Sequence, residues 1–123
     1  MKPGESTGER GRRAESIAIA HLVAAGLKLL ARNVRAGRGE IDAIMRDGET
    51  VVFVEVRSRR SSKFGGAAET VGPVKQRRLI AAAHRFLQTH RPYRDCPCRF
   101  DVVEILGDEN GAELKWIRDA FQA

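Results

Sequence analysis

Two apolar stretches joined by an Asp-Gly turn constrain this chain more than any other feature. Residues 51–57 are Val-Val-Phe-Val-Glu-Val-Arg, a β-branched run that predicts a strand buried on both faces. Residues 39–42, Gly-Glu-Ile-Asp, begin the strand before it, and Asp47-Gly48 favours a hairpin between the two because glycine tolerates positive φ. Both strands carry acidic residues, which a buried strand accepts at low cost only where a cation meets them.

The hairpin register decides whether these acids meet. Side chains alternate along a strand, so Glu55 and Arg57 share a face. A four-residue loop pairs Arg46 with Val51 and places Asp42 directly opposite Glu55, whereas a two-residue loop displaces Asp42 by two positions. In both registers Asp42 lies on the face of Glu55 and Arg57.

Carboxylates directly opposed across a sheet ladder repel each other, so the pair predicts a bound divalent cation. Carboxylate oxygens suit Mg²⁺ or Mn²⁺, which bind one or two such groups together with water and substrate phosphates. An exposed sheet edge with solvated charges is the alternative that the residues alone leave open.

The chain has 123 residues, which is enough for one domain with a single core. We expect one domain over residues 1–123, with residues 1–8 disordered and residues 58–72 forming a flexible basic loop. No apolar run is long enough to span a membrane and the first residues carry no apolar signal region, so we expect a cytoplasmic protein without a membrane partner. The 22 basic against 16 acidic residues, a net charge of +6, favour a polyanionic partner such as nucleic acid.

The order of elements predicted from periodicity is α-β-β-β-α-β-β, an α/β fold with a mixed central sheet flanked by helices. The first helix should bury a stripe made by Ala14, Ala18, His21, Leu22 and Ala25, with Ile17 beside it. The remaining elements beyond the hairpin are a short strand over residues 27–33, a helix from Pro73 to about His90, and strands over residues 99–106 and 113–117.

Several motifs together resemble a known family. They are Gly39-Glu40-Ile41-Asp42, Phe53-Val54-Glu55-Val56-Arg57-Ser58-Arg59, Phe64-Gly65, Lys75 and Arg99-Phe100-Asp101-Val102-Val103. In this order they look like the YraN-like bacterial family, which is similar to archaeal Holliday junction resolvases and to the restriction-endonuclease-like superfamily. The resemblance implies a restriction-endonuclease-like core and a metal-dependent endonuclease that acts on branched or damaged DNA.

The resemblance also implies roles for individual residues. Asp42 and Glu55 would be metal ligands, Glu15 would complete or orient the site from the first helix, and Glu40 would be an outer or second-metal acid. Metal-bound carboxylates would bring a water and a phosphate oxygen together and stabilise the transition-state charge. A partly exposed helix charge is the alternative for Glu15.

Position 57 departs from the superfamily pattern, because it carries Arg where Lys is usual after the strand acid. As a catalytic-site cation, Arg57 could grip phosphate, but it stays protonated and so could not act as a base. Either hydrolysis proceeds without it, or the fold binds nucleic acid and no longer cuts it. Lys63 and Lys75 are the candidates to fill the place of the missing lysine.

Basic residues around the acids predict phosphate contacts from a loop and a helix N-terminus. This nucleic-acid-binding set consists of Arg59, Arg60, Lys63, Lys75, Gln76 and Arg77. A solvated basic face is the alternative. Three functions therefore stay open: a Mg²⁺- or Mn²⁺-dependent endonuclease, a non-catalytic binding module on the same fold, and an RNA-associated adaptor. We expect DNA as partner in preference to RNA, and the resolvase resemblance allows a homodimer.

Overall fold

The computed structural model describes residues 7–59, 71–108 and 111–123. In these residues the chain forms two α-helices, five strands and one turn of 3₁₀-helix between Arg91 and Tyr93. The helices and strands are α1 (Thr7–Ala24), β1 (Lys28–Ala36), β2 (Gly39–Asp47), β3 (Thr50–Arg59), α2 (Pro73–Thr89), β4 (Cys98–Asp108) and β5 (Gly111–Phe121). The predicted order α-β-β-β-α-β-β and the α/β fold with a mixed central sheet are confirmed.

The element ends differ from those expected in several places. α1 begins at Thr7, so Thr7 and Gly8 are helical, and β1 extends to Ala36, three residues beyond the predicted end. β3 includes Ser58 and Arg59, which the prediction had placed in a loop, and β5 is 11 residues long because it pairs with β4 along most of its length. Most of the predicted basic loop, residues 60–70, lies outside the described residues.

One five-stranded sheet organises the molecule, in the spatial order β1-β2-β3-β4-β5. Strands β1, β2 and β3 are antiparallel neighbours, β3 and β4 are parallel, and β4 and β5 are antiparallel. A parallel pair needs a crossover connection, and α2 supplies it between β3 and β4. The N-terminus of α2 therefore follows the end of β3 that carries Glu55.

The hairpin register is the one that brings the two acids level. Arg46 pairs with Val51 and Asp47 with Thr50, so the turn consists of Gly48 and Glu49. Gly48 has a φ of +60°, which glycine adopts without steric cost. The turn is thus two residues long rather than four, but the pairing is the one expected from the longer loop.

The helices cover opposite faces of the sheet and divide the core into two clusters. Beneath α1, the buried residues Ala14, Ala18 and Leu22 pack on Met45 and Val54. The predicted stripe is wrong in part, because His21, Ala25 and Ile17 are exposed and Ile19 is buried in their place. The sheet surface lies closer to the Ile19 side of the helix than the periodicity indicated.

Beneath α2, the buried side chains form an aromatic and aliphatic cluster that includes Phe53, Leu79, Phe86 and Phe100. Phe53 stacks on Phe100 at 5.4 Å between ring centroids and meets Phe86 edge-on at 6.2 Å. These contacts fix the position of α2 over β3, and hence the position of its first turn near Glu55. Among the described residues, no helix is long and apolar enough to cross a membrane.

The alternation of side chains along β2 changes phase next to Asp42. Ile41 and Ile44 both pack in the cluster beneath α2, although an odd and an even position of one regular strand should face opposite ways. Ala43, between them, packs beneath α1. The ladder with β3 starts at the Ala43–Val54 pair, so Asp42 lies where regular pairing begins and its carboxyl is available for other contacts.

Candidate active site

Three side chains from three different elements meet at this irregularity. The carboxyl groups of Asp42 on β2 and Glu55 on β3 lie close enough to share a proton in a hydrogen bond. Lys75 of α2 places its Nζ atom 2.6 Å from Oε2 of Glu55. The strand acids that the sequence predicted as a pair are therefore in contact, and a lysine from the helix completes the group.

The Asp42 carboxyl is held in one orientation. The backbone N–H of Val56 donates a hydrogen bond of 2.7 Å to its Oδ2 atom. Burial, and then the hydrogen bond and charge of Glu55, raise the pKa of Asp42 to about 9 from an ordinary value of 3.8. Because two adjacent carboxyls in a buried place share one proton more easily than they carry two charges, the pair holds a proton at neutral pH.

Glu55 is 4% exposed, and an isolated carboxylate at such a position is costly. Its Oε2 atom is buried and has an ion pair with Lys75 but no well-directed hydrogen bond. Lys75 lies in the first turn of α2 just after Pro73, a proline suited to this position because it has no N–H to satisfy. A cation is unfavourable at a helix N-terminus, and the carboxylate of Glu55 offsets this cost for Lys75.

Two further acids border the pair. Glu15 of α1 has an ion pair of 3.9 Å with Arg32, and its Oε1 atom is buried without a hydrogen-bond partner among the described residues. Burial raises the pKa of Glu15. The charge of Arg32 and a hydrogen bond with Asn33 oppose this increase in part, and the charges of Glu40 and Glu55 add to it. Glu40 is more exposed and lies 3.7 Å from Arg35, so it sits at the rim of the group.

Arg57 does not join the carboxyl pair. It is beside Glu104 in the parallel ladder of β3 and β4, two residues beyond Glu55, and within the described residues it makes no hydrogen bond or ion pair. Glu104 is fully buried, and its Oε2 atom lies 3.6 Å from Nε of Arg59. Neither Glu104 nor this pairing was predicted, because a buried acid in an apolar strand carries no periodic signal.

The basic residues predicted to bind phosphate occupy different places. Lys75 is in the carboxyl group and Arg59 is tied to Glu104. Gln76 donates a hydrogen bond of 2.7 Å from Nε2 to the carbonyl oxygen of Val71, so it stabilises the entry to α2. Arg77 is exposed. Arg60 and Lys63 lie outside the described residues.

A cavity of about 560 Å³ opens onto the carboxyl pair. Asp42, Glu55 and Lys75 line it, and Arg38 and Arg78 add two guanidinium groups that the sequence prediction did not include. In the described part of the chain, no three His, Cys, Asp or Glu side chains are grouped closely enough to hold a metal ion. The protein ligands available here are the two carboxyl groups of Asp42 and Glu55. Proteins commonly bind Mg²⁺ through one or two carboxylates, and water molecules complete its coordination.

Comparisons with known proteins identify the family. The model of Uncharacterised protein family UPF0102 matches residues 14–105. The chain belongs to the UPF0102 family. A UPF0102 protein of Stutzerimonas stutzeri is 51% identical over 113 residues, which cover 92% of this chain and 94% of the relative. UPF0102 proteins of Nitrosococcus oceani and Pseudomonas aeruginosa are each 46% identical, over 99% and 100% of this chain and 98% and 100% of the relatives.

The region that matches the UPF0102 family contains the whole candidate site. It begins at Ala14, one residue before Glu15, and ends at Ile105, one residue after Glu104. Strand β5 lies outside it. The family description assigns no reaction, so the chemistry of the site follows from its residues.

Proposed function

We propose that this UPF0102 protein is a metal-dependent endonuclease that hydrolyses phosphodiester bonds in branched or damaged DNA. The observation that carries the proposal is the 2.6 Å contact between Lys75 and Glu55 beside the hydrogen-bonded Asp42. Two strand acids and one lysine are the groups that the restriction-endonuclease-like signature requires. Here the lysine comes from α2 instead of from position 57 on β3.

The residues fit a hard divalent cation. Asp42 and Glu55 supply carboxylate oxygens, the ligand type that Mg²⁺ and Mn²⁺ prefer. Among the described residues, Glu55 Oε2 has only the Lys75 ammonium as a partner, and Glu15 Oε1 has only the more distant Arg32 guanidinium, so both oxygens keep lone pairs that a divalent cation could use. A bound divalent cation supplies a Lewis acid that lowers the pKa of water and offsets phosphate charge.

The side chains of the site have separate tasks in this mechanism. Asp42, fixed by the N–H of Val56, and Glu55 would hold the cation through their carboxylate oxygens. Lys75 is a compact ammonium with rotatable donors, so it can orient the attacking water and donate a proton from Nζ to the leaving oxygen. Arg38 and Arg78 line the same cavity and supply donors for the phosphate oxygens.

A cleavage assay tests the proposal. Wild type should cut a labelled four-way DNA junction in Mg²⁺ or Mn²⁺ and should be inactive in excess chelator. Asp42→Asn and Glu55→Gln should each abolish cleavage, while Arg57→Lys should leave the rate nearly unchanged because Lys75 already fills the role of the lysine. Absence of cleavage on junction, duplex and single-stranded DNA in both metals would overturn the endonuclease proposal.

A second candidate is a nucleic-acid-binding module that does not cut. Lys75 favours it, since an ammonium at 2.6 Å already neutralises Glu55 without a metal. The two candidates differ in calorimetry: the enzyme should bind Mg²⁺ or Mn²⁺ in a manner that depends on Asp42, whereas the module should bind DNA equally well with metal or with chelator.

A further inference from the structure

A second groove, of about 500 Å³, lies between the turn joining β1 to β2 and the exposed face of α2. We call it the α2 groove. Its lining includes small residues, which leave space that larger side chains would fill: Ala36, Gly37, Gly39 and Ala81. Its walls carry four guanidinium groups, from Arg38 on the turn and from Arg77, Arg78 and Arg85 on the helix.

The charge of the α2 groove is of one sign. None of the described residues that line it is acidic, and its four arginines have no ion-pair partner among the described residues. Guanidinium groups held close together without counter-charge attract a polyanion. Arginine is also the side chain whose paired donors match the oxygens of a phosphate group.

The spacing of the helix arginines suits a repeating ligand. Arg78 and Arg85 are seven residues apart, nearly two helical turns, so they lie on one face about 10 Å from each other. A nucleic acid strand in a duplex rises about 3.4 Å per nucleotide, so this distance corresponds to about three nucleotides. Arg38 faces them from the other wall.

The α2 groove is continuous with the candidate active site. Arg38, Gly39 and Arg78 line both the groove and the cavity that contains Asp42 and Glu55. Gly39 fixes the two walls against each other, because a side chain there would overlap the carbonyl oxygen of Arg78 and approach Cβ of Ala82 to 3.0 Å. A strand lying along the groove is therefore directed to the carboxyl pair.

We propose that the α2 groove binds the sugar-phosphate backbone of the nucleic acid substrate and leads it to Asp42 and Glu55. The proposal rests on the proposed function, since it takes the substrate to be nucleic acid, and it adds where that substrate lies. The contacts are Arg38 on the turn and Arg78 and Arg85 on α2, none of which belongs to the loop beyond β3.

Two matched double variants test the α2 groove. Arg38→Ala/Arg85→Ala removes one cation from each wall. The control, Lys28→Ala/Arg46→Ala, also removes two positive charges. These residues pair with each other at the end of β1 and β2 that is farther from the β1–β2 turn. Binding of a fluorescein-labelled four-way junction, and of one of its single strands, is measured by anisotropy across a range of salt concentrations without divalent metal.

The groove variant should bind at least about tenfold more weakly at 0.1 M salt. The slope of the logarithm of its binding constant against the logarithm of the salt concentration should be smaller in magnitude by about 1.4 to 1.8, since each phosphate contact contributes about 0.7 to 0.9. The control pair should bind as wild type does. Arg38→Lys/Arg85→Lys should restore most of the affinity, because the phosphate contacts need the charge. Phosphatidylserine vesicles serve as a second polyanion and should show no preference for wild type over the groove variant.

The outcomes separate the two proposals. Wild type that binds nucleic acid while the groove variant binds equally well overturns the α2 groove and leaves the proposed function standing. Equal weakening by the control pair shows general charge attraction and also overturns the groove. A groove variant that loses vesicle binding but keeps DNA binding identifies an anionic membrane surface instead. Wild type that binds none of the nucleic acids overturns the proposed function itself.

Discussion

Lys75 and Glu55, 20 positions apart in the chain and on different elements, form a contact of 2.6 Å beside the point where the β2–β3 ladder ends. The contact joins a lysine that the helix N-terminus disfavours to a carboxylate that burial disfavours. Each residue removes the cost of the other, which accounts for their position without reference to function. The same contact also places an ammonium group beside the two acids to which the proposed function assigns the metal.

Lys75→Met should lower the cleavage rate by about 10² to 10⁴-fold, the usual cost of losing an acid–base group. DNA affinity should fall by much less, since the other cations of the cavity remain. Lys75→Arg keeps the charge but an arginine does not give up its proton, so this variant should bind DNA normally and cut nearly as poorly as the Met variant. Single-turnover rates and anisotropy on the same protein samples separate the two effects; full activity of Lys75→Arg would show that charge alone is needed.

Stability should depend on pH through Asp42. Its pKa in the folded chain is raised to about 9, while in the unfolded chain it ionises near 3.8. Between these values the folded chain keeps a proton that the unfolded chain has lost, so the free energy of unfolding falls as pH rises. The contribution is fully present below about pH 4 and is lost by about pH 9. Denaturant titrations at intervals across this range measure the slope.

Asp42→Asn mimics the protonated carboxyl and should remove most of this pH dependence. Glu15, whose pKa is also raised, should leave a smaller slope of the same sign. Asp95→Asn changes an exposed acid and should keep the wild-type slope. Equal slopes in wild type and Asp42→Asn would mean that Asp42 is ionised in the folded chain at neutral pH.

Part of the site could be predicted from the sequence because it depends on local patterns. The β-branched run around Glu55 and the Asp-Gly turn determine two strands, and the choice of register is limited to two, both of which bring Asp42 near Glu55. The order of helices and strands follows for the same reason, since each element is identified by its own periodicity.

The rest depends on contacts between distant elements. The reach of Lys75 to Glu55 follows from how α2 crosses the sheet, which is determined by the packing of Phe86 on Phe53 rather than by any local pattern. The irregular side-chain alternation of β2 beside Asp42 could not be predicted from the sequence either, because the residues around Asp42 are apolar on both faces of the strand. Strand alternation predicted that Arg57 lies on the face of Glu55. It did not predict that Arg57 makes no ion pair with Asp42 or Glu55 among the described residues.

Divalent metal should stabilise the folded chain and release protons. A ligand at 100 times its dissociation constant stabilises the native state by about 2.7 kcal/mol, so Mg²⁺ or Mn²⁺ should raise the melting temperature by several degrees. The raised pKa of Asp42 means that the Asp42–Glu55 pair shares a proton that it must lose to bind metal. The calorimetric heat of binding should therefore change with the ionisation heat of the buffer. Glu55→Gln should abolish both effects, and an equal melting shift in wild type and Glu55→Gln would place any metal elsewhere.

The pair formed by Arg59 and Glu104 should be important for stability. Glu104 is fully buried, and no described residue hydrogen-bonds either carboxylate oxygen, so its charge depends on the Arg59 guanidinium at 3.6 Å. Arg59→Met leaves this carboxylate buried without that cation and should destabilise the fold by about 3 to 5 kcal/mol. Glu104→Met and the double variant should cost much less, because an apolar side chain of similar volume removes the charge itself. Urea denaturation of wild type, the two single variants and the double variant gives a double-mutant cycle for the free energy of unfolding. A double variant as unstable as Arg59→Met alone would show that Arg59 stabilises the fold through other contacts.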